Sequence, residues 1–138
     1  MASSLIKVLL VEDDEDDFVI AQDQFSRLPG GRFKLEWVCT YPEAVAEVSK
    51  RRHDLYVFDY RLGIDNGLDL LEEVRAKGCK TPIILWTRFM DRSLEAKARL
   101  AGANGFFLKS ENPRYPDLEP VAQMVIQGVV RALIRKVG

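Results

Sequence analysis

Short apolar runs alternate with segments of helical periodicity along the chain, and this alternation constrains the fold more than any other feature. The apolar runs lie at residues 5–11, 33–38, 54–60, 81–87 and 105–108. The first run, LIKVLLV, is apolar at nearly every position, which is typical of a strand that is covered on both faces. We therefore predict five strands within one sheet.

The segments between and after these runs have the periodicity of helices. Phe18, Ala21 and Phe25 follow one another at spacings of three and four, and helices are predicted over residues 14–28, 42–51, 67–77, 92–100 and 118–137. Five strands that alternate with five helices indicate an α/β fold with a parallel sheet covered on both sides. Right-handed crossovers leave few topologies, and the flavodoxin-like, doubly wound strand order 2-1-3-4-5 fits this length.

The composition fits one globular domain over residues 1–138, with a core from about 5 to 137. The 20 Lys and Arg side chains nearly balance 21 Asp and Glu, and 47% of residues are apolar. Balanced charge argues against a nucleic-acid partner, and no apolar run reaches the roughly 18 residues of a membrane span. The single histidine, His53, makes Ser–His or Cys–His catalysis improbable. Two cysteines without metal-site spacing fit a reducing, cytoplasmic setting.

Acidic side chains stand where two of the predicted strands end. Glu12 and Asp13 follow the first strand, and Asp59 ends the third. Chemistry in such sheets gathers beyond the carboxyl ends of the strands. Two like charges about 4 Å apart repel each other by roughly 4 kcal/mol at an effective dielectric constant of about 20. Such a cluster is hard to keep unless a divalent cation neutralises it. Oxygen ligands suit Mg²⁺, so the sequence predicts a magnesium site here. The other acids, Asp14 to Asp17, are interpreted as a solvated helix start that the helix dipole favours.

The fourth and fifth strands end in a hydroxyl and a cation, Thr87 and Lys109. Together with the acids, these groups suit a phosphoryl group attached to one carboxylate. The metal ion and the lysine would neutralise the phosphoryl oxygens, and the hydroxyl would donate a hydrogen bond to one of them. An aspartate is a reasonable phosphoryl acceptor.

With these acids, this hydroxyl and this lysine at successive strand ends, the chain resembles the receiver domain of two-component response regulators. The motifs that carry the resemblance are VLLVEDD at 8–14, DLYVFDYRLGIDNGLDLL at 54–71, PIILWT at 82–87 and AGANGFFLK at 101–109. The resemblance implies that Asp59 is the phosphoacceptor. It also implies that Glu12, Asp13, Asp59 and the backbone carbonyl of Arg61 hold Mg²⁺.

The resemblance further implies a switch and its partners. Thr87 would move toward the phosphoryl oxygen, Phe106 would follow it, and Lys109 would pair with the phosphoryl group. The donor would be a sensor histidine kinase or a phosphotransfer protein, and the output would be a contact with a downstream protein target. Such a chain is a phosphoacceptor and not an enzyme, apart from slow self-dephosphorylation.

Three positions depart from the pattern of the family. Gly63 stands where proline is usual, which loosens the loop after the phosphoacceptor. Ser110 replaces the proline that usually follows the lysine, so a cis peptide there would cost about 2.5–4 kcal/mol. Arg88 replaces a small residue after Thr87 and is expected either to crowd the phosphoryl pocket or to help bind the phosphoryl group. Arg88 and Ser110 also keep open an alternative, a degenerate receiver that binds proteins without phosphorylation.

The last predicted helix is the expected output surface. No output domain follows it, so a stand-alone receiver is expected. One stripe of that helix has apolar residues beyond those that the core needs, and a homodimer would bury them. The residues of this predicted interface are Ile126, Val130, Leu133 and Val137.

Overall fold

The computed structural model describes residues 5–26, 32–88 and 91–109. Among these residues there are seven strands and four helices. Five of the strands and the four helices lie at or within a few residues of the predicted segments, whereas two short strands were not predicted. The predicted last helix, its interface residues Ile126, Val130, Leu133 and Val137, and the Lys109–Ser110 peptide lie outside the described residues. In chain order, the elements are β1 (Leu5–Val11), α1 (Glu15–Ser26), β2 (Arg32–Val38), α2 (Tyr41–Ser49), β3 (Leu55–Asp59), β4 (Arg61–Leu62), β5 (Asp65–Asn66), α3 (Gly67–Ala76), β6 (Ile83–Thr87), α4 (Arg92–Leu100) and β7 (Gly105–Leu108).

Five of the strands form one parallel sheet in the order β2-β1-β3-β6-β7. Counted without the two short strands, this is the predicted order 2-1-3-4-5, and the flavodoxin-like topology is confirmed. The short strands β4 and β5 pair with each other as an antiparallel hairpin directly after β3, which the sequence did not predict. The hairpin is too short to have a hydrophobic pattern of its own.

The sheet has an apolar core on each face because its strands alternate their side chains between the two sides. Tyr56 and Phe58 of β3 point to one side, and Leu55 and Val57 to the other. The first side packs against α2, α3 and α4 through Ala44, Val48, Leu70, Leu71, Val74 and Ala98. The second side packs against α1 through Ala21 and Phe25. None of the described helices is long and apolar enough to cross a membrane.

Local signals explain where several elements begin. Thr40, Asn66 and Asp91 are the N-caps of α2, α3 and α4, and each side chain accepts a hydrogen bond from a backbone N–H of the first turn. Strand β6 begins at Ile83, two residues later than predicted, directly after Pro82, which lacks a backbone N–H for the ladder.

Candidate functional site

A cavity of about 250 Å³ lies at the carboxyl edge of the sheet, beyond the ends of β1, β3, β6 and β7. It contains seven of the residues that the sequence analysis selected, together with two acids that it did not. The lining residues are Glu12, Asp13, Asp14, Asp17, Asp59, Arg61, Thr87, Arg88 and Lys109.

Three of these acids form a compact group of oxygen ligands. Glu12, Asp13 and Asp59 each offer one carboxylate oxygen, and these oxygens all lie within 4.8 Å of one another. Glu12 and Asp59 are buried, whereas Asp13 is exposed. A divalent cation that takes oxygen ligands could therefore bind from the solvent side, and carboxylate oxygens are ligands that suit Mg²⁺.

Burial raises the pKa values of the two buried acids, Glu12 and Asp59. Burial, a hydrogen bond to Asp59 and the charge of Asp59 raise the pKa of Glu12 to about 8, although Lys109 opposes this shift. Burial also raises the pKa of Asp59, against the opposing effects of Glu12, Lys109 and the backbone hydrogen bond from Arg61. The hydrogen bond between the two acids raises the pKa of Glu12 and lowers that of Asp59.

Lys109 lies at the centre of the acids. Its Nζ is 2.5 Å from Glu12 Oε1, 2.8 Å from Asp17 Oδ2 and 3.2 Å from Asp59 Oδ1, and only 4% of the side chain is exposed. Burial alone would lower the pKa of Lys109, but the charges of Asp59 and Glu12 and the hydrogen bonds to Asp17 and Glu12 together outweigh it, and the pKa is raised. The lysine therefore stays protonated and places a positive charge beside Asp59.

Asp17 is the residue that the sequence analysis misjudged. It was interpreted as part of a solvated helix start, but it is 5% exposed and faces the cavity. Its carboxylate accepts hydrogen bonds from Lys109 and from Nη2 of Arg88, which lies 2.6 and 2.7 Å from its two oxygens. The partners of Asp17 are distant in the sequence, at 71 and 92 residues, so no local pattern indicated its burial. Arg88 thus lies along the cavity wall and pairs with an acid.

The two predicted switch residues occupy different environments. Thr87 ends β6, is 2% exposed and lines the cavity. Phe106 of β7 is buried in the core beside Leu85 and does not line the cavity. Thr87 also borders a second cavity of about 310 Å³ next to α4.

Backbone geometry fixes the chain around Asp59. Gly63, in the turn of the β4–β5 hairpin, has a φ of 65°, and its N–H donates to Asp13 Oδ2 at 3.0 Å. The sequence analysis expected this glycine to loosen the loop, but here it anchors Asp13. At the start of α3, a Cβ on Gly67 would lie 2.3 Å from the carbonyl oxygen of Asp59, so only glycine allows this close approach.

Comparisons with known proteins agree with this fold. The family model described as the response regulator receiver domain matches residues 8–115. The chain belongs to this family. A curated relative, the two-component response regulator PhoP of Pseudomonas aeruginosa, is 31% identical over 104 residues, which are 75% of this chain and 45% of the relative. The chain therefore spans less than half the length of that relative.

Solved structures of other receivers share the fold. The phosphorylated cyanobacterial phytochrome response regulator RcpA aligns with a TM-score of 0.77 at 18% identity, covering 94% of this chain and 96% of that one. The Mn²⁺-bound form of response regulator Rcp1 aligns with a TM-score of 0.73 at 20% identity, covering 89% of this chain and 93% of that one. At this identity the likeness shows the fold alone.

Proposed function

We propose that this receiver domain accepts a phosphoryl group on Asp59 and acts as a switch in two-component signalling. The observation that carries the proposal is the position of Asp59 at the end of a central strand. It is buried, 3.2 Å from Lys109, and grouped with two further acids. A carboxylate held beside a cation in this way is a reasonable nucleophile toward phosphorus.

Glu12, Asp13 and Asp59 would hold a Mg²⁺ ion, with the backbone carbonyl of Arg61 as a fourth protein ligand. The clustered oxygens and the raised pKa of Glu12 support this, because a cation would relieve the repulsion between the acids. The ion, when bound, supplies positive charge to the phosphoryl oxygens. The Mn²⁺-bound relative Rcp1 is consistent with a divalent cation in this fold.

The remaining cavity residues would act on the phosphoryl group itself. An oxygen of Asp59 attacks phosphorus, the bond from phosphorus to the histidine nitrogen breaks, and the imidazole leaves with that electron pair. Lys109 would neutralise one phosphoryl oxygen. The Thr87 hydroxyl would donate a hydrogen bond to another phosphoryl oxygen. Thr87 would move toward that oxygen, and Phe106 in the neighbouring strand β7 would follow it.

The partners follow from this chemistry. A sensor histidine kinase or a phosphotransfer protein would donate the phosphoryl group, and a downstream protein target would recognise the switched surface. The domain would be an acceptor that dephosphorylates slowly and not an enzyme that turns over a substrate. Free thiols at Cys39 and Cys79 support a cytoplasmic setting for the exchange.

The alternative function is a degenerate receiver that binds proteins without phosphorylation. Arg88 was one reason to consider it, because a long cation after Thr87 could block the pocket. The ion pair with Asp17 holds Arg88 at the cavity wall, and Asp59, Lys109 and Thr87 are all in place. This arrangement favours the active receiver.

Labelling with a small acyl phosphate tests the proposal. Incubation of the protein with acetyl phosphate and Mg²⁺ should add one phosphoryl group, measured by intact mass, and EDTA should prevent the addition. Asp59→Ala should stay unlabelled, whereas the matched control Asp65→Ala, an exposed acid on the hairpin, should label like wild type. Failure of wild type to label, or labelling that is indifferent to EDTA, would contradict the proposal.

A further inference from the structure

Asp17 holds two cations at once, and the proposed phosphorylation mechanism makes no use of it. Lys109 donates to Asp17 Oδ2 at 2.8 Å, and Arg88 donates to the same oxygen at 2.7 Å. The Asp17 and Lys109 side chains are 7% and 4% exposed, whereas that of Arg88 is 47% exposed. One buried carboxylate oxygen thus joins a buried cation to a cation at the surface.

A phosphoryl group on Asp59 would attract the ammonium group of Lys109. It would bring additional negative charge to the oxygens next to the lysine, and Lys109 would have to turn toward them. Asp17 opposes this movement because it competes for the same ammonium group. If Lys109 left, a buried carboxylate without a counter-ion would be costly.

Arg88 would remain as a counter-ion for Asp17 if Lys109 turned away. Its Nη2 already bridges both oxygens of Asp17, so the carboxylate would keep a charged partner after Lys109 had turned away. We propose that Asp17 is a positioning residue that restrains Lys109 in the unphosphorylated form, and that Arg88 promotes phosphoryl binding by acting through Asp17. This inference rests on the proposed function. It differs from the expectation that Arg88 contacts the phosphoryl group directly.

Binding of beryllofluoride, a stable mimic of the phosphoryl group, measures the effect at equilibrium. The dissociation constant is obtained in the presence of Mg²⁺ from the ¹⁹F NMR signal of the bound mimic. Asp17→Asn should tighten binding about three- to tenfold, because Lys109 loses a charged competitor. Arg88→Ala should weaken binding by about the same factor, because Asp17 then relies on Lys109 alone. Arg88→Lys keeps a charge near Asp17 and should fall between Arg88→Ala and wild type.

The double variant distinguishes the two roles of Arg88. If Arg88 acts through Asp17, Asp17→Asn/Arg88→Ala should bind the mimic like Asp17→Asn alone, since the restraint is already gone. If Arg88 contacts the phosphoryl group, its loss should weaken binding equally in both backgrounds. Urea unfolding of each variant verifies that it is folded, and Asp17→Ser replaces Asp17→Asn if the latter does not fold.

These measurements distinguish failure of the role of Asp17 from failure of the proposed phosphorylation of Asp59. Equal effects of Arg88→Ala in both backgrounds, or weaker binding by Asp17→Asn, would overturn the role of Asp17 and leave phosphorylation of Asp59 intact. Wild type that binds no beryllofluoride would contradict the proposed function, and the inference would fall with it.

Discussion

Glu12 is the side chain in the candidate site whose protonation the fold changes most clearly. It is completely buried beside Asp59, and its pKa is raised from 4.5 to about 8. The folded protein therefore keeps a proton on Glu12 at pH values where the unfolded chain has lost it. The stabilisation from this proton is present at low pH and is lost as the pH rises toward 8.

The free energy of unfolding in EDTA should accordingly decrease between pH 6 and pH 8. Glu12 alone contributes a slope of at most about 1.4 kcal/mol per pH unit. Glu12→Gln, which mimics the protonated acid, should flatten the decrease, and the exposed control Glu72→Gln should not. Urea titrations at several pH values measure this. Equal slopes for wild type and Glu12→Gln would show that Glu12 is ionised throughout.

At the level of elements, the β4–β5 hairpin positions one of the proposed metal ligands. Its turn places Gly63 in the left-handed region, with a φ of 65°, and directs its N–H to Asp13. No atom lies within 4 Å of a Cβ built at this position, so only the backbone conformation opposes a side chain.

Gly63→Ala should therefore destabilise the domain by about 1 kcal/mol, the usual cost of a left-handed conformation for alanine. Gly63→Asn is the matched comparison because asparagine tolerates the left-handed region, and this variant should lose less stability than Gly63→Ala. Denaturant midpoints in EDTA decide between them. If both variants match wild type, the turn adopts another conformation without cost.

The sequence predicted the strands better than it predicted the contacts between side chains. The five sheet strands were visible because each is an apolar run, and their order followed from the rules for crossovers. The hairpin and the anchoring role of Gly63 were missed because two-residue strands have no period to detect. Asp17 was missed because an acid in a first helical turn is usually solvated, and its burial depends on Lys109, 92 residues away. Long-range ion pairs of this kind have no local signal.

At the level of the whole molecule, the fold gathers acids from β1, β3 and α1 at one edge of the sheet. We expect this clustering to destabilise the domain when no cation is bound, and a ligand that binds only the folded state to recover stability. The proposed Mg²⁺ site thereby links metal binding to the stability of the complete domain.

Mg²⁺ at ten times its dissociation constant should stabilise the domain by about 1.4 kcal/mol. Asp13→Asn should reduce this gain and, in EDTA, should raise the free energy of unfolding by about 1 kcal/mol, because one like charge is removed and the Asn oxygen can still accept from Gly63. Asp65→Asn, on the β4–β5 hairpin and outside the acid group, is the control. Thermal unfolding with and without Mg²⁺ provides the comparison, and a loss of stability of Asp13→Asn in EDTA would show a purely structural role.

The central claim is that Asp59 itself carries the phosphoryl group, and chemical mapping tests it most directly. Borohydride reduces an aspartyl phosphate to homoserine, so the protein is phosphorylated with acetyl phosphate and Mg²⁺, reduced, digested and sequenced by mass spectrometry. We predict homoserine at position 59 alone, and none when EDTA is present. Homoserine at Asp13 or Asp17, or at no position, would contradict the account.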